Sequence, residues 1–253
     1  MGGYRLVRGL CRVFALAVAF TGASPGQVPT YSVGATPTGT PFTFLDVRTN
    51  TIQGAMVDLL DAIANDAGFK IGIQPTPFPA LIPALTGKRI DIIAAPMLIT
   101  APRREVVDFS DPVFSYPEGL VVNINDKTAY RSLAELKGQV VGAQAGTVYV
   151  EFLKRNAEAA EVKVYDSLAE LLRQVSLGHV KAGVGDARIV RYQLAHNAAL
   201  WAQLVPTYEA KLNRSVAIAV RKSDTELLAK INASIAKLRA NGTIDKILAK
   251  WGV

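Results

Sequence analysis

From Tyr31 to the end of the chain, short β-rich runs alternate with segments whose apolar residues recur at helical spacing. A strand–helix unit of this kind buries its apolar side only against a neighbouring unit. The alternation therefore specifies an α/β architecture with largely parallel sheets. YSVGA (31–35) reads as a strand ending in the turn-rich TPTGTP, and FTF and Ile52-Gln53 flank a reverse turn. Ala55 to Ala67 then sets Met56, Leu59, Leu60 and Ile63 on one helical face. KIGIQP (70–75) reads as a strand, ALIPALTG as a short helix and DIIAAP (91–96) as a buried strand.

A second series repeats the alternation. GLVVNI (119–124), VVGAQ (140–144), VKVYD (162–166) and KAGVGD (181–186) are strands, with helices starting near Val148 and after Asp186. SLAEL occurs at 132–136 and again at 167–171, with Ser and Glu three apart, the spacing of a capping box; Ser223 and Glu226 repeat it. SVAIAVR (215–221) is a further strand. The last two helices align Leu227, Leu228, Ile231, Ile235 and Leu238, and then Ile244, Ile247, Leu248 and Trp251, with Asn241-Gly242 as the stop between them.

The stretch before Tyr31 follows another logic. Arg5, Arg8 and Arg12 precede an unbroken apolar run, Val13 to Phe20, and the small residues Thr21-Gly22-Ala23. This is the pattern of a cleaved export signal over residues 1–23; a bilayer span takes about 20 apolar residues. Cys11, the only cysteine, lies before the apolar run, where no lipid anchor attaches. The mature chain then has no disulfide and no thiolate metal site, and an exported, unanchored, soluble protein is expected. Of the net charge of +7, three charges belong to those arginines, which leaves +4 scattered among acids. That distribution argues against a nucleic-acid partner.

LIPALTGKRIDIIAAPMLITAPRREVVDFSDP, SLAELKGQVVGAQAGT and LLAKINASIAKLRANGTIDKILAKW resemble the extracellular solute-binding proteins that serve polar amino-acid ABC transporters. The likeness runs in order from about Tyr31 to Trp251. It implies a type II periplasmic-binding-protein fold: two α/β lobes joined by two crossover strands, with the ligand in the cleft between them. Lobe 1 would comprise 31–117 and 214–253, and lobe 2 118–213. The resemblance further implies a periplasmic monomer without cofactor, a small-molecule ligand and an inner-membrane ABC permease as partner.

Within PMLITAPRREVVDFSDP (96–112), Thr100 can cap a helix and Pro102 fits its first turn. Arg103 and Arg104 then stand where the helix dipole disfavours cations unless an anion offsets them. Arg104 can pair with Asp108 one turn on. For Arg103 two readings stand, a surface ion pair or a bidentate carboxylate site. The resemblance favours the second, because the matching family position grips the ligand's α-carboxylate. Asp186 is suited to cap the helix that follows it, and the resemblance makes it the acceptor of the ligand's ammonium. Gly146-Thr147 opens another helix, where a glycine lets a ligand approach backbone amides; the resemblance places the carboxylate there too. By the same resemblance Phe42 and Phe78 form an aromatic wall, and Phe78, between prolines, occupies an exposed loop.

The chain departs from that pattern at several places. Pro96 and Leu98 stand where the family carries small and hydroxyl residues, Thr36 and Gly39 where it carries an acid and an aromatic, and Ala55 and Met56 where it carries Phe and Asp. A pocket lined by Leu98 and Thr36 is more apolar and lacks the negative floor suited to a cationic side chain. The expected ligand is a neutral amino acid, or a small carboxylate without the full α-amino pattern. A dehydratase of cyclohexadienyl acids shares the fold, but its chemistry needs an acid where Tyr149 stands, with Glu151 two residues on. A periplasmic sensor subunit is a further alternative. His179 and His196, the only histidines, are too far apart in sequence to suggest a metal site.

Overall fold

The computed structural model describes residue 1 and residues 28–253. Apart from Met1, the expected export segment and Cys11 lie outside the described residues.

In the first sheet Lys70–Pro75 is one edge, followed in parallel by Thr30–Ala35 and Ile92–Ile93. Ala219–Val220 adds antiparallel to Ile92–Ile93, and Asp108–Phe109 is the other edge. The helix Ala55–Ala67 buries Met56, Leu59, Leu60 and Ile63, as its spacing requires, and stops at Gly68 with φ 75°. A fully buried Leu or Ile contributes about 1.5–3 kcal/mol. The C-terminal helices Thr225–Ala240 and Thr243–Lys250 return to pack on this one, so both ends of the described chain belong to one lobe.

The second sheet runs Glu161–Tyr165, Val140–Gln144, Ala182–Asp186, Phe114–Asn123, Ala202–Leu204. Its first three strands are parallel and its last two antiparallel to their neighbours, so both sheets are mixed where largely parallel ones were expected. The reason is the crossover. The long strand Phe114–Asn123 leaves the first lobe, pairs over Phe114–Pro117 with Asn213–Val216, and continues into the second sheet. Buried Glu118 pins this junction: its carboxylate accepts from the Lys211 and Leu212 amides at 2.7 and 2.8 Å and from the Tyr208 hydroxyl at 3.1 Å.

Local details differ from the sequence pattern. SVAIAVR is two strands, Asn213–Val216 and Ala219–Val220, because the segment pairs first with the other crossover and then with the first sheet. Ser132 and Glu135 form a full capping box, on a 3-10 turn. Ser167 caps Leu168–Ser176, while Glu170 turns away to Arg173 and Gln174. The third box is absent: Asp224 is the N-cap, and Glu226 pairs with Lys230.

Candidate ligand site

Thr100 caps the helix Ala101–Val106 as its position predicts, accepting from the Arg103 amide at 3.3 Å. This sets Arg103 over the end of the first sheet. Its Nη1 donates to the Leu98 carbonyl at 2.7 Å, and its Nη2 donates to the Gly146 carbonyl of the other lobe at 2.9 Å. The guanidinium also lies 5.7 Å from the centre of the Phe78 ring. Its charge is thus held by carbonyl dipoles and a π face, and among the described residues no carboxylate lies at ion-pair distance. Burial draws its pKa down and the nearby Asp186 charge opposes this; a guanidinium stays protonated regardless.

Asp186 ends the strand Ala182–Asp186 in the second lobe. It occupies the N-cap position of Ala187–His196, yet its side chain makes no capping bond. Instead Oδ1 accepts from the Tyr149 hydroxyl. Tyr116, on the first crossover, brings its hydroxyl beside the same carboxyl and 3.5 Å from the Pro96 carbonyl. Burial pushes the Asp186 pKa up to about 6, with the Tyr149 and Tyr116 hydroxyls and the Arg103 charge pulling the other way. Burial also raises both tyrosines well above their ordinary value, so they remain donors.

Gly146 has φ 73°, and a Cβ there would meet the Pro79 Cα of the opposing lobe at 2.8 Å. Only glycine allows the lobes to come this close. The Thr147 hydroxyl donates to the Gln144 carbonyl at 2.7 Å, which stabilises the turn that presents Gly146. Phe78, Leu98, Arg103, Thr147, Tyr149 and Asp186 converge, with Pro96 and Val148, on one interlobe cavity of about 10 Å³. That is room for about one water, so the lobes are closed on each other.

Two expected residues are elsewhere. Phe42 is fully buried and stacks on Phe114, with centroids 4.9 Å apart; it backs the crossover strand and does not reach the cavity. Thr36 is buried in a 2.7 Å hydrogen bond with Thr43. Ala55 and Met56 are likewise core. Arg104 lies over Phe109, while Asp108 approaches Lys222 at 3.4 Å, so the predicted Arg104–Asp108 pair does not form. Sequence reasoning missed Tyr116 and the contact of Tyr149 with Asp186. For Tyr149 the signal was available, since it lies in the first turn of a helix that begins at the cleft.

Two mixed α/β sheets joined by paired crossovers, with convergent groups from both between them, define a two-lobe ligand-binding fold. The chain belongs to the bacterial extracellular solute-binding proteins, family 3, whose sequence model matches residues 31–253. It is 29% identical to the L-cystine-binding protein TcyJ of Escherichia coli K12 over 223 residues, 88% of this chain and 82% of that one. It is 31% identical to the arginine-binding extracellular protein ArtP of Bacillus subtilis 168, over 80% of this chain and 78% of the relative. Among solved structures, an ancestral arginine-binding protein bound to glutamine superposes with a TM-score of 0.81 at 35% identity, covering 89% and 99% of the two chains. The ancestral amino acid-binding protein AncCDT-1, a precursor of cyclohexadienyl dehydratase, does so with 0.79 at 30% identity, covering 88% and 95%. These named relatives are binding proteins. Among the described residues no helix is long and apolar enough to cross a membrane.

Proposed function

We propose that the chain is the substrate-binding component of an ABC importer, capturing a neutral amino acid or a related small carboxylate between its lobes. The observation that carries this reading is the convergence of Arg103 from one lobe and Asp186 from the other on a single cavity. A ligand that engages both stabilises the closed form, and the closed form presents a joint surface to a permease. Lobe 1 then comprises 31–117 and 214–253, and lobe 2 118–213, in a periplasmic monomer released by cleavage of the export segment.

Some relatives are named for arginine, and here the side-chain chemistry argues otherwise. Among the described residues the only acid that lines the cavity is Asp186, already hydrogen-bonded to Tyr149, and Pro96 and Leu98 add no side-chain acceptor. A cationic side chain would be desolvated there without a counter-charge. Binding is also favoured over catalysis: Tyr149 carries no carboxylic acid, and Glu151 is engaged by Lys154 at 2.9 Å outside the cavity. Isothermal titration of the mature chain with alanine, leucine, phenylalanine, glutamate and arginine tests the reading, and tight arginine binding rejects it. Incubation with prephenate or arogenate, watched for an absorbing product, tests the catalytic alternative.

A further inference from the structure

Arg103 also lines a second and wider space. It is a groove of about 420 Å³ that shares Arg103, Thr147 and Val148 with the closed cavity. Thr100 flanks it from the first lobe, the helix Tyr149–Asn156 from the second, and Arg214 from the second crossover. Arg155 and Arg214 line it as exposed cations, and among the described residues neither has a side-chain hydrogen bond or a carboxylate at ion-pair distance. The one acid of the groove among the described residues, Glu151, is bonded to Lys154 at 2.9 Å, and its pKa is held low mainly by that lysine. Three arginines therefore line the groove with one acidic residue that is already paired. Like charges gathered in one cleft raise its potential and favour an anion between them.

We propose that the ligand is a small dianion, with one acidic group on Arg103 and the second between Arg155 and Arg214. The inference rests on the carboxylate grip proposed above and narrows that reading to its small-carboxylate arm. The groove as a whole, about 420 Å³, has room for a small dicarboxylate, whereas the cavity that Arg103 shares with Asp186 is about 10 Å³. Charge placement adds a consequence for motion. Arg103 belongs to the first lobe, Arg155 to the second and Arg214 to the crossover, so a dianion in the groove bridges all three and holds the closed form.

Isothermal titration of the mature chain with glutarate and with valerate, acids of equal carbon number, is the test. The inference predicts that glutarate binds about tenfold tighter or more, a preference that shrinks as salt rises. It also predicts that R155A/R214A brings glutarate to the level of valerate, whereas R155K/R214K keeps most of the preference. Valerate binding without a glutarate preference, or a preference that survives R155A/R214A, overturns the inference alone. So does inorganic phosphate that raises valerate affinity to the glutarate level, since the groove is then an independent anion site. Binding of neither acid overturns it together with the carboxylate grip.

Discussion

Arg103 donates a 2.9 Å hydrogen bond across the cleft to the carbonyl of Gly146, so the cation suited to hold a ligand also latches the two lobes. A ligand carboxylate at this guanidinium replaces carbonyl acceptors with a charged one, which is the stronger partner.

Arg103→Ala is expected to weaken binding of a carboxylate ligand by at least about 2 kcal/mol, roughly thirtyfold, because it strips a buried charge of its partner. Arg103→Lys should recover only part of this, since an ammonium lacks the planar fork. Isothermal titration measures both. The fold should persist, because the Thr100 cap depends on the Arg103 backbone amide and not on its side chain.

Gly146→Ala places a Cβ 2.8 Å from the Pro79 Cα and forces a side chain on a residue with φ 73°. The backbone cost is about 1–2 kcal/mol, and the clash falls only on the closed form. Small-angle scattering with saturating ligand should therefore show a variant that stays more open, with affinity reduced about tenfold or more. Closure to the wild-type radius would contradict this.

The raised pKa of Asp186 predicts a signed dependence of stability on pH. Between pH about 4 and about 6 the native state keeps a proton that the unfolded state releases, so this residue's contribution falls as pH rises through that window and is flat above it. Its size is on the order of 2–3 kcal/mol. Unfolding free energies of the wild type and Asp186→Asn, measured from pH 4 to 7, should diverge with this slope. Tyr149→Phe removes a donor to the carboxylate and should extend the slope above pH 6. A wild-type–variant difference that is constant across the window would refute the assignment.

Glu118→Ala leaves the Lys211 and Leu212 amides and the Tyr208 hydroxyl without their acceptor at the junction of the lobes. These donors are part-buried and water can reach some of them, so the loss should be about 1–3 kcal/mol in total, lowering Tm by several degrees. Hydrogen exchange should accelerate first over residues 205–213. Glu118→Gln, which still accepts, should cost less.

Much of the fold was legible because its signals are local. Apolar spacing specified the Ala55–Ala67 helix, and Thr100 and Pro102 specified the start of the helix that carries Arg103. What the sequence concealed depended on long-range pairing. The division of residues 213–220 into two strands follows from partners about a hundred residues away, and so does the antiparallel half of each sheet. At the site, Arg103, Asp186, Gly146, Thr147, Phe78 and Leu98 are brought together, while Phe42 and Thr36 are drawn into the core by Phe114 and Thr43. Position along a strand indicates nearness to the cleft, but not which face a side chain takes.

The two connecting segments are themselves hydrogen-bonded in antiparallel register, Asn213 to Pro117 through Val216 to Phe114. A ribbon of two laced strands bends and twists far more readily than it stretches or shears. Sliding one half of the molecule past the other would break the lacing, whereas swinging about it would not. Any relative movement of the two halves is thereby confined to something close to a single rocking coordinate, one that keeps Arg103 aimed at the turn that holds Gly146.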